Sequence, residues 1–136
     1  MQLTDTVIIF ASTTGHTRKI AKYLAEKLDA DIFDLKQQSL IDLSAYSRVI
    51  IGTGVHAENA YGKVIGFLDA HPKLCFEKEV YLFISCLLKG DRADSQCHKI
   101  SDELRISNAV YFSSRSEKNE AGLSCDVDAF IERMKA

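Results

Sequence analysis

The 136-residue sequence has no apolar run long enough to cross a membrane. Its longest apolar stretches, such as residues 81–84, are far shorter than the roughly 20 residues that a spanning helix requires, and the N-terminal residues lack an export signal. Neither charge sign is in large excess, with 17 basic and 19 acidic side chains. We therefore predict a cytoplasmic protein with no integral membrane segment and no nucleic-acid partner.

The cysteines show no metal-binding spacing. The four cysteines form no C-x-x-C pair and no pattern suited to zinc or an iron–sulfur cluster, so the sequence predicts no metal site. Isolated cysteines are usually small buried hydrophobes. Cys86 follows an apolar run at a position where a ligand could lie, although packing is the role that we expect for it.

Short apolar runs alternate with longer amphipathic stretches along the chain. The runs predict strands over 7–10, 31–35, 48–51, 80–85 and 109–112. The amphipathic stretches predict helices over 17–28, 60–70 and 94–106, with a last helix capped by Asp126. Residues 37–46 fit a short helix or an irregular crossover. Since the strands are apolar on both faces, the sequence predicts one α/β domain over 1–136, with a doubly wound parallel sheet between two helical layers.

Hydroxyl-rich residues separate the first strand from the first helix, in the order Ser12, Thr13, Thr14, Gly15, His16, Thr17. Amide groups in the first turn of a helix lack intrahelical partners, and the helix dipole favours an anion there. Neutral hydroxyls add donors, and Gly15 allows close approach of the chain. This segment predicts a phosphate site, with simple helix capping by Ser or Thr as the alternative.

Other phosphate-binding motifs are absent. The sequence has no Walker-type G-x-x-x-x-G-K-[ST], and no G-x-G-x-x-G follows the first strand. The first loop has no cysteine nucleophile for a phosphatase. The carboxylates that a phosphoacceptor domain needs are replaced by Ser12 and Thr53. In a doubly wound sheet the ligand binds beyond the carboxyl ends of the strands, so loops 12–17, 53–61 and 85–91 should converge.

The pattern Ser12-x-Thr14-Gly15-x-Thr17 between a buried strand and a helix resembles the phosphate loop of flavodoxins, T/S-x-T-G-x-T. The resemblance covers the whole chain and implies a five-stranded parallel sheet of order 2-1-3-4-5 in an α/β/α sandwich. It also implies FMN as the cofactor. The second loop, 51–57, and the fourth strand with its exit, 82–89, look more like the menaquinone-dependent protoporphyrinogen oxidase branch, although the stretch before the last strand is shorter here.

The resemblance implies positions for the two ends of FMN. The phosphate would lie on loop 12–17, with hydroxyl donors from Thr14 and Thr17 and amide donors from Gly15 and His16. The flavin ring would lie between the second and third loops, whose candidate residues are Thr53, Gly54, Val55, His56, Ser85, Cys86, Leu87 and Lys89. With no tryptophan in the chain, His56 could stack on the ring or simply face solvent. Lys89 could reach the ring or be solvated.

Three functions remain open from the sequence. The resemblance implies electron transfer through bound FMN to a redox partner protein. The alternative is a flavin-dependent oxidoreductase that acts on a small quinone or a porphyrinogen, in which no side chain stands out as a catalytic acid or base. A non-redox domain that binds another phosphorylated ligand is the third hypothesis.

Overall fold

The computed structural model describes residues 5–12, 15–38, 40–56, 59–88 and 90–135. Its main sheet has five parallel strands, namely β1 (Thr6–Phe10), β2 (Asp31–Asp34), β3 (Arg48–Thr53), β6 (Glu79–Cys86) and β7 (Ala109–Ser113). Their spatial order is β2-β1-β3-β6-β7. Counting only these strands, this is the predicted order 2-1-3-4-5, and the fold prediction is confirmed.

The sheet is buried on both faces because successive side chains of its central strands alternate between two apolar layers. Ile9 and Ile51 belong to one layer, whereas Ile8 and Ile50 belong to the other, and all four are fully buried. The register explains this alternation, since Ile8 pairs with Ile50 and Ile9 with Ile51. A continuous apolar run is therefore required in these strands.

The helices cover these two faces. They are α1 (His16–Leu28), α2 (Gly62–Asp69), α3 (Leu74–Glu77), α4 (Asp91–Leu104) and α5 (Cys125–Lys135). Side chains of α1 and α5 share one apolar layer, and side chains of α2 and α4 belong to the other. No helix in the described part of the chain is both long and apolar enough to cross a membrane.

Several predicted helix ends differ from the observed ones. The helix α4 begins at Asp91, three residues before the predicted start, because Gly90 adopts a φ of 67° and acidic residues favour a helix N-terminus. It ends at Leu104 rather than at residue 106, because the next residue, Arg105, takes a left-handed conformation with φ 59°. At α5 the predicted cap Asp126 is wrong, because Ser124 Oγ accepts the Asp126 N–H at 3.1 Å.

Two connections were incompletely predicted. Residues 37–38 and 40–46 contain no helix or strand, so the irregular crossover is the correct alternative for the described part of this segment, and Leu43 and Tyr46 anchor it in the core. The predicted helix over 60–70 starts later, at Gly62. Before it lies a two-stranded antiparallel hairpin of β4 (Val55–His56) and β5 (Asn59–Ala60).

The expectation that the cysteines are buried is correct for only part of the set. Cys86 is buried and Cys97 is partly buried, but Cys75 and Cys125 are exposed. Cys125 is exposed because it begins α5 outside the stripe of apolar residues that faces the sheet. Among the described residues, no group of three or more His, Cys, Asp or Glu side chains could hold a metal ion.

Candidate functional site

The carboxyl ends of the neighbouring strands β1, β3 and β6 lie along one edge of the sheet, and the three predicted loops leave from this edge. The backbone holds the starting points of the first two loops together, because the N–H of Ala11, directly after β1, donates to the carbonyl of Gly52 in β3 at 3.3 Å. Parallel pairing thus brings loops together that are about 40 residues apart in sequence.

The first loop is closed by a hydrogen bond within itself. Ser12 is buried, with 4% of its surface exposed, and its Oγ accepts the Gly15 N–H at 3.0 Å. Gly15 adopts a φ of 92°, and a Cβ built on it would meet no heavy atom within 4 Å. Gly15 is needed here for its backbone conformation, and the space beside it is open.

The helix α1 begins directly behind this turn. The first-turn amides, from His16 onward, have no intrahelical acceptors, and they lie at the end where the helix dipole favours an anion. Thr17 is only 1% exposed, on the face of α1 that packs on the sheet. Arg18 pairs with Asp34 at 2.7 Å, so its charge is already compensated at the end of β2.

The second loop is held by Thr53, which is fully buried. Its hydroxyl donates to the Gly54 carbonyl at 2.8 Å and accepts the Tyr61 N–H at 3.0 Å. A Cβ on Gly54 would lie 2.3 Å from the Tyr61 hydroxyl oxygen, so the Tyr61 ring packs closely on the loop backbone. The side chain of Val55 is partly buried against the core. Thr53 therefore fixes the hairpin between β3 and α2.

We expect Thr53→Val to destabilise this loop. Valine has a similar shape but leaves the partly buried Tyr61 N–H without its acceptor, which costs about 1–3 kcal/mol. Urea unfolding should show this loss, whereas Thr53→Ser, which keeps the hydroxyl, should retain most of the stability. Equal stability of the valine and serine variants would contradict the role assigned to the hydroxyl.

The third loop presents three different environments. Ser85 is partly buried, Cys86 is 5% exposed, and Leu87 is 66% exposed although it is a large apolar side chain. The Cys86 thiol donates to the Leu88 carbonyl at 3.6 Å, and burial raises the pKa of this thiol. Cys86 is thus a packed, protonated thiol, while Leu87 offers an apolar surface at the sheet edge.

Some predicted site residues lie outside the described residues. These are Thr13, Thr14 and Lys89, and the side chain of His56 also falls outside the description, although its backbone belongs to β4. The structure brings together the strand ends that bear the remaining candidates.

A further segment, 113–124, contributes to this edge and was missed by the sequence reasoning. Ser113 is buried at the end of β7, opposite Cys86 in the strand register. A small cavity of about 70 Å³ is lined by this segment, including Lys118, together with His16 and Ser85. The signal was present in the sequence, because Ser113 and Ser114 directly follow an apolar run, as Ser12 does.

The sequence profile described as "Flavodoxin domain" matches residues 7–119, most of the chain. The chain belongs to the flavodoxin domain family.

Flavodoxin-like solved structures have the same fold. A flavodoxin, WrbA-like protein from Agrobacterium tumefaciens is 17% identical, with 94% of this chain and 92% of that chain covered at a TM-score of 0.68. Oxidised flavodoxin 2 from Bacillus cereus is 18% identical, with 98% of this chain and 100% of that chain covered at a TM-score of 0.65. The Fusobacterium nucleatum flavodoxin bound to flavin mononucleotide is 14% identical, with 96% of each chain covered at a TM-score of 0.63. No curated protein sequence matches this chain.

The donor set of this flavodoxin domain fits the phosphate group of FMN. The positive φ of Gly15 leaves open space beside the turn, and the first-turn amides of α1 follow it. Ser12 closes this turn through its hydroxyl, and Thr17 is the second residue of α1. Such neutral donors at a helix N-terminus suit a phosphate dianion.

Proposed function

We propose that this flavodoxin domain binds FMN at the carboxyl edge of its sheet and transfers electrons between redox partners. The observation that supports this proposal best is the turn between β1 and α1. Buried Ser12 closes the turn, Gly15 holds a φ of 92° beside open space, and α1 starts at His16. This arrangement offers first-turn amides to an anion while no cation from the loop is required.

Each loop has a distinct task in this proposal. Thr14 and Thr17 donate hydroxyl hydrogen bonds to the phosphate, with Thr13 and the His16 amide beside them, and Gly15 contributes through its conformation. Thr53 holds the second loop in shape. The ring is bordered by the remaining candidates, which are Gly54, Val55, His56, Ser85, Cys86, Leu87 and Lys89. Bound FMN supplies the capacity to accept and release one or two electrons.

A flavin-dependent oxidoreductase is the second candidate, with a small quinone or a porphyrinogen as substrate, as in the protoporphyrinogen oxidase branch. The exposure of Leu87, at 66%, favours it. An exposed apolar side chain at the ligand edge of a sheet is suited to contact with an apolar ring that approaches from solvent. A near-neutral balance of charge, −2 in the whole chain, also gives little electrostatic steering toward a charged partner protein.

The proposal predicts that the purified protein carries flavin absorbance and releases FMN on denaturation. If the protein is purified without cofactor, added FMN should bind with quenching of the flavin fluorescence, and mass spectrometry should identify the released compound. A colourless protein that ignores added FMN would contradict the proposal and leave the non-redox hypothesis.

Carrier and enzyme differ in the need for a protein partner. If the protein is a carrier, its chemically reduced FMN form should be reoxidised only slowly by quinones, and its oxidised FMN form should be reduced only slowly by protoporphyrinogen. Steady-state oxidation of protoporphyrinogen with a quinone as electron acceptor, or steady-state reduction of a quinone by a small-molecule electron donor, would instead establish the oxidoreductase if it needed no partner protein. In that case Leu87→Ser should raise KM for the substrate more than it lowers kcat.

A further inference from the structure

The strand β7 ends the main sheet and leaves one backbone edge open. This edge forms the floor of a groove of about 470 Å³ between α4 and α5. The groove is bordered by polar and apolar side chains, among them Asp94, His98, Tyr111, Asp126, Phe130 and Arg133. An open strand edge is a template for another strand unless the protein covers it.

The hydrogen bonds to β6 show which residues of β7 face outward. The Leu82 N–H donates to the Asn108 carbonyl, and the Ser114 N–H donates to the Cys86 carbonyl, both at 2.9 Å. In a strand, the backbone groups of successive residues alternate between its two neighbours. The even-numbered residues of β7 therefore face β6, and the backbone groups of Ala109, Tyr111 and Ser113 face the open edge.

Two of these six outward groups have partners within the chain. The Ala109 N–H donates to the Ser107 carbonyl at 3.1 Å, and the Ser113 carbonyl accepts the Ser116 N–H at 3.2 Å. In the described part of the chain, the remaining four have no hydrogen-bond partner, namely the Ala109 carbonyl, both groups of Tyr111 and the Ser113 N–H. These four groups are symmetric about Tyr111. A two-fold rotation that places two Tyr111 residues opposite each other brings each of these N–H groups to one of these carbonyls.

We propose that two copies of this chain pair through β7 in antiparallel orientation, with Tyr111 on the two-fold axis. Each Tyr111 N–H then donates to the Tyr111 carbonyl of the other copy, and each Ser113 N–H donates to the other Ala109 carbonyl. Four hydrogen bonds join the two sheets into one of ten strands. A C2 interface uses the same surface patch on both copies, and the open backbone groups fulfil that requirement.

The charges beside the groove are self-complementary in the same sense. Asp126 lies in the first turn of α5 and Arg133 in its last turn, and both border the groove. The antiparallel two-fold brings the amino end of one α5 level with the carboxyl end of the other. Asp126 therefore lies on the side of the partner subunit's Arg133, and opposite charges meet twice across the interface.

A second copy is favoured over an unrelated extended peptide by these two observations together. A peptide would need the same hydrogen-bonding pattern and the opposite order of charges, and the chain itself provides both. The binding edge proposed above, at the carboxyl ends of the strands, stays open in such a dimer, because β7 pairs through its lateral edge.

The association is measured by sedimentation equilibrium of the full chain over a series of concentrations. We expect a monomer–dimer equilibrium in the wild type. The dimer dissociation constant should rise at least about tenfold in Asp126→Lys and in Arg133→Glu, because each reversal makes both charge pairs repulsive. The combined variant restores attraction and should recover most of the affinity. Glu132→Lys, an exposed reversal on the same helix that does not border the groove, is the matched control.

Tyr111→Pro gives an independent arm of the test. Proline removes an outward N–H and leaves the bonds to β6 intact, so pairing should be lost while circular dichroism stays that of the folded chain. If this variant unfolds, the charge variants still decide the question. A wild-type chain that stays monomeric to millimolar concentration would overturn the proposal. So would a dimer that resists both single reversals, or one that the combined variant does not restore.

Discussion

Gly15→Val should lower the affinity for FMN by a factor of about one hundred or more, the largest effect on binding that we expect from one substitution. At Gly15 the backbone has a φ of 92°, which a β-branched residue resists at a cost of roughly 1–2 kcal/mol. Relaxation of that strain would move the turn away from its hydrogen bond to Ser12, and the new side chain would occupy the open space beside it. Titration with FMN, followed by flavin fluorescence, measures the effect.

The control for this prediction is Gly66→Val. Gly66 lies in α2 with a helical backbone and open space around it, so the same chemical change should leave FMN affinity unaltered. An affinity for FMN in Gly15→Val within about twofold of wild type would show that the phosphate does not depend on this turn.

Gly52→Val should destabilise the fold by about 3 kcal/mol, at the upper end of the usual cost of overpacking a core. A Cβ on Gly52 would lie 2.3 Å from Phe83 Cζ and 2.5 Å from Phe83 Cε2. Phe83 is fully buried and packs on Phe112, with ring centroids 5.6 Å apart, so the ring cannot move into solvent. Urea unfolding at constant pH measures the loss.

A double-variant cycle attributes that loss to the contact with Phe83. Phe83→Leu removes the clashing ring atoms, so Gly52→Ala should cost less in the Phe83→Leu background than in wild type. Ile51→Val, in the same strand, should cost only about 1 kcal/mol. Additive effects of the Gly52 and Phe83 substitutions would contradict this explanation.

The sheet could be predicted from the sequence because its strands are apolar on both faces. Runs such as 7–10 and 80–85 indicate a buried strand between two helical layers, and the observed β1 and β6 include these runs. The hydroxyl-rich turn could likewise be predicted, because a glycine between a buried strand and a helix indicates a backbone conformation with positive φ. Gly15 has this conformation.

The hairpin of β4 and β5 was not predictable in the same way. Each strand has only two residues, too few for any alternation, and the pairing depends on Thr53 and Tyr61, which are eight residues apart. The hydrogen bonds of Thr53 in the second loop could not be predicted from the sequence either. The resemblance implies Thr53 as a cofactor contact, and in the structure its hydroxyl makes two hydrogen bonds within the protein.

The cap of α5 illustrates a third limit. Both Ser124 and Asp126 are good N-cap residues, and sequence preference does not separate them. Tertiary contacts decide, because Ser124 is buried and its hydroxyl also accepts a hydrogen bond from Ser116 at 2.7 Å, across the turn that follows β7. The same turn brings Lys118 to the cavity that His16 also lines, although the two residues are about 100 positions apart in sequence.

The measurement that examines the central proposal most directly is a comparison of FMN with riboflavin, which lacks the phosphate. Wild type should bind FMN at least about one hundredfold more tightly, since several hydrogen bonds to a charged group are at stake. The double variant Thr14→Val/Thr17→Val should lose most of that preference while its weak affinity for riboflavin stays the same. If the variant retains the wild-type preference for FMN, the phosphate is not held by the turn between β1 and α1, and the account is wrong.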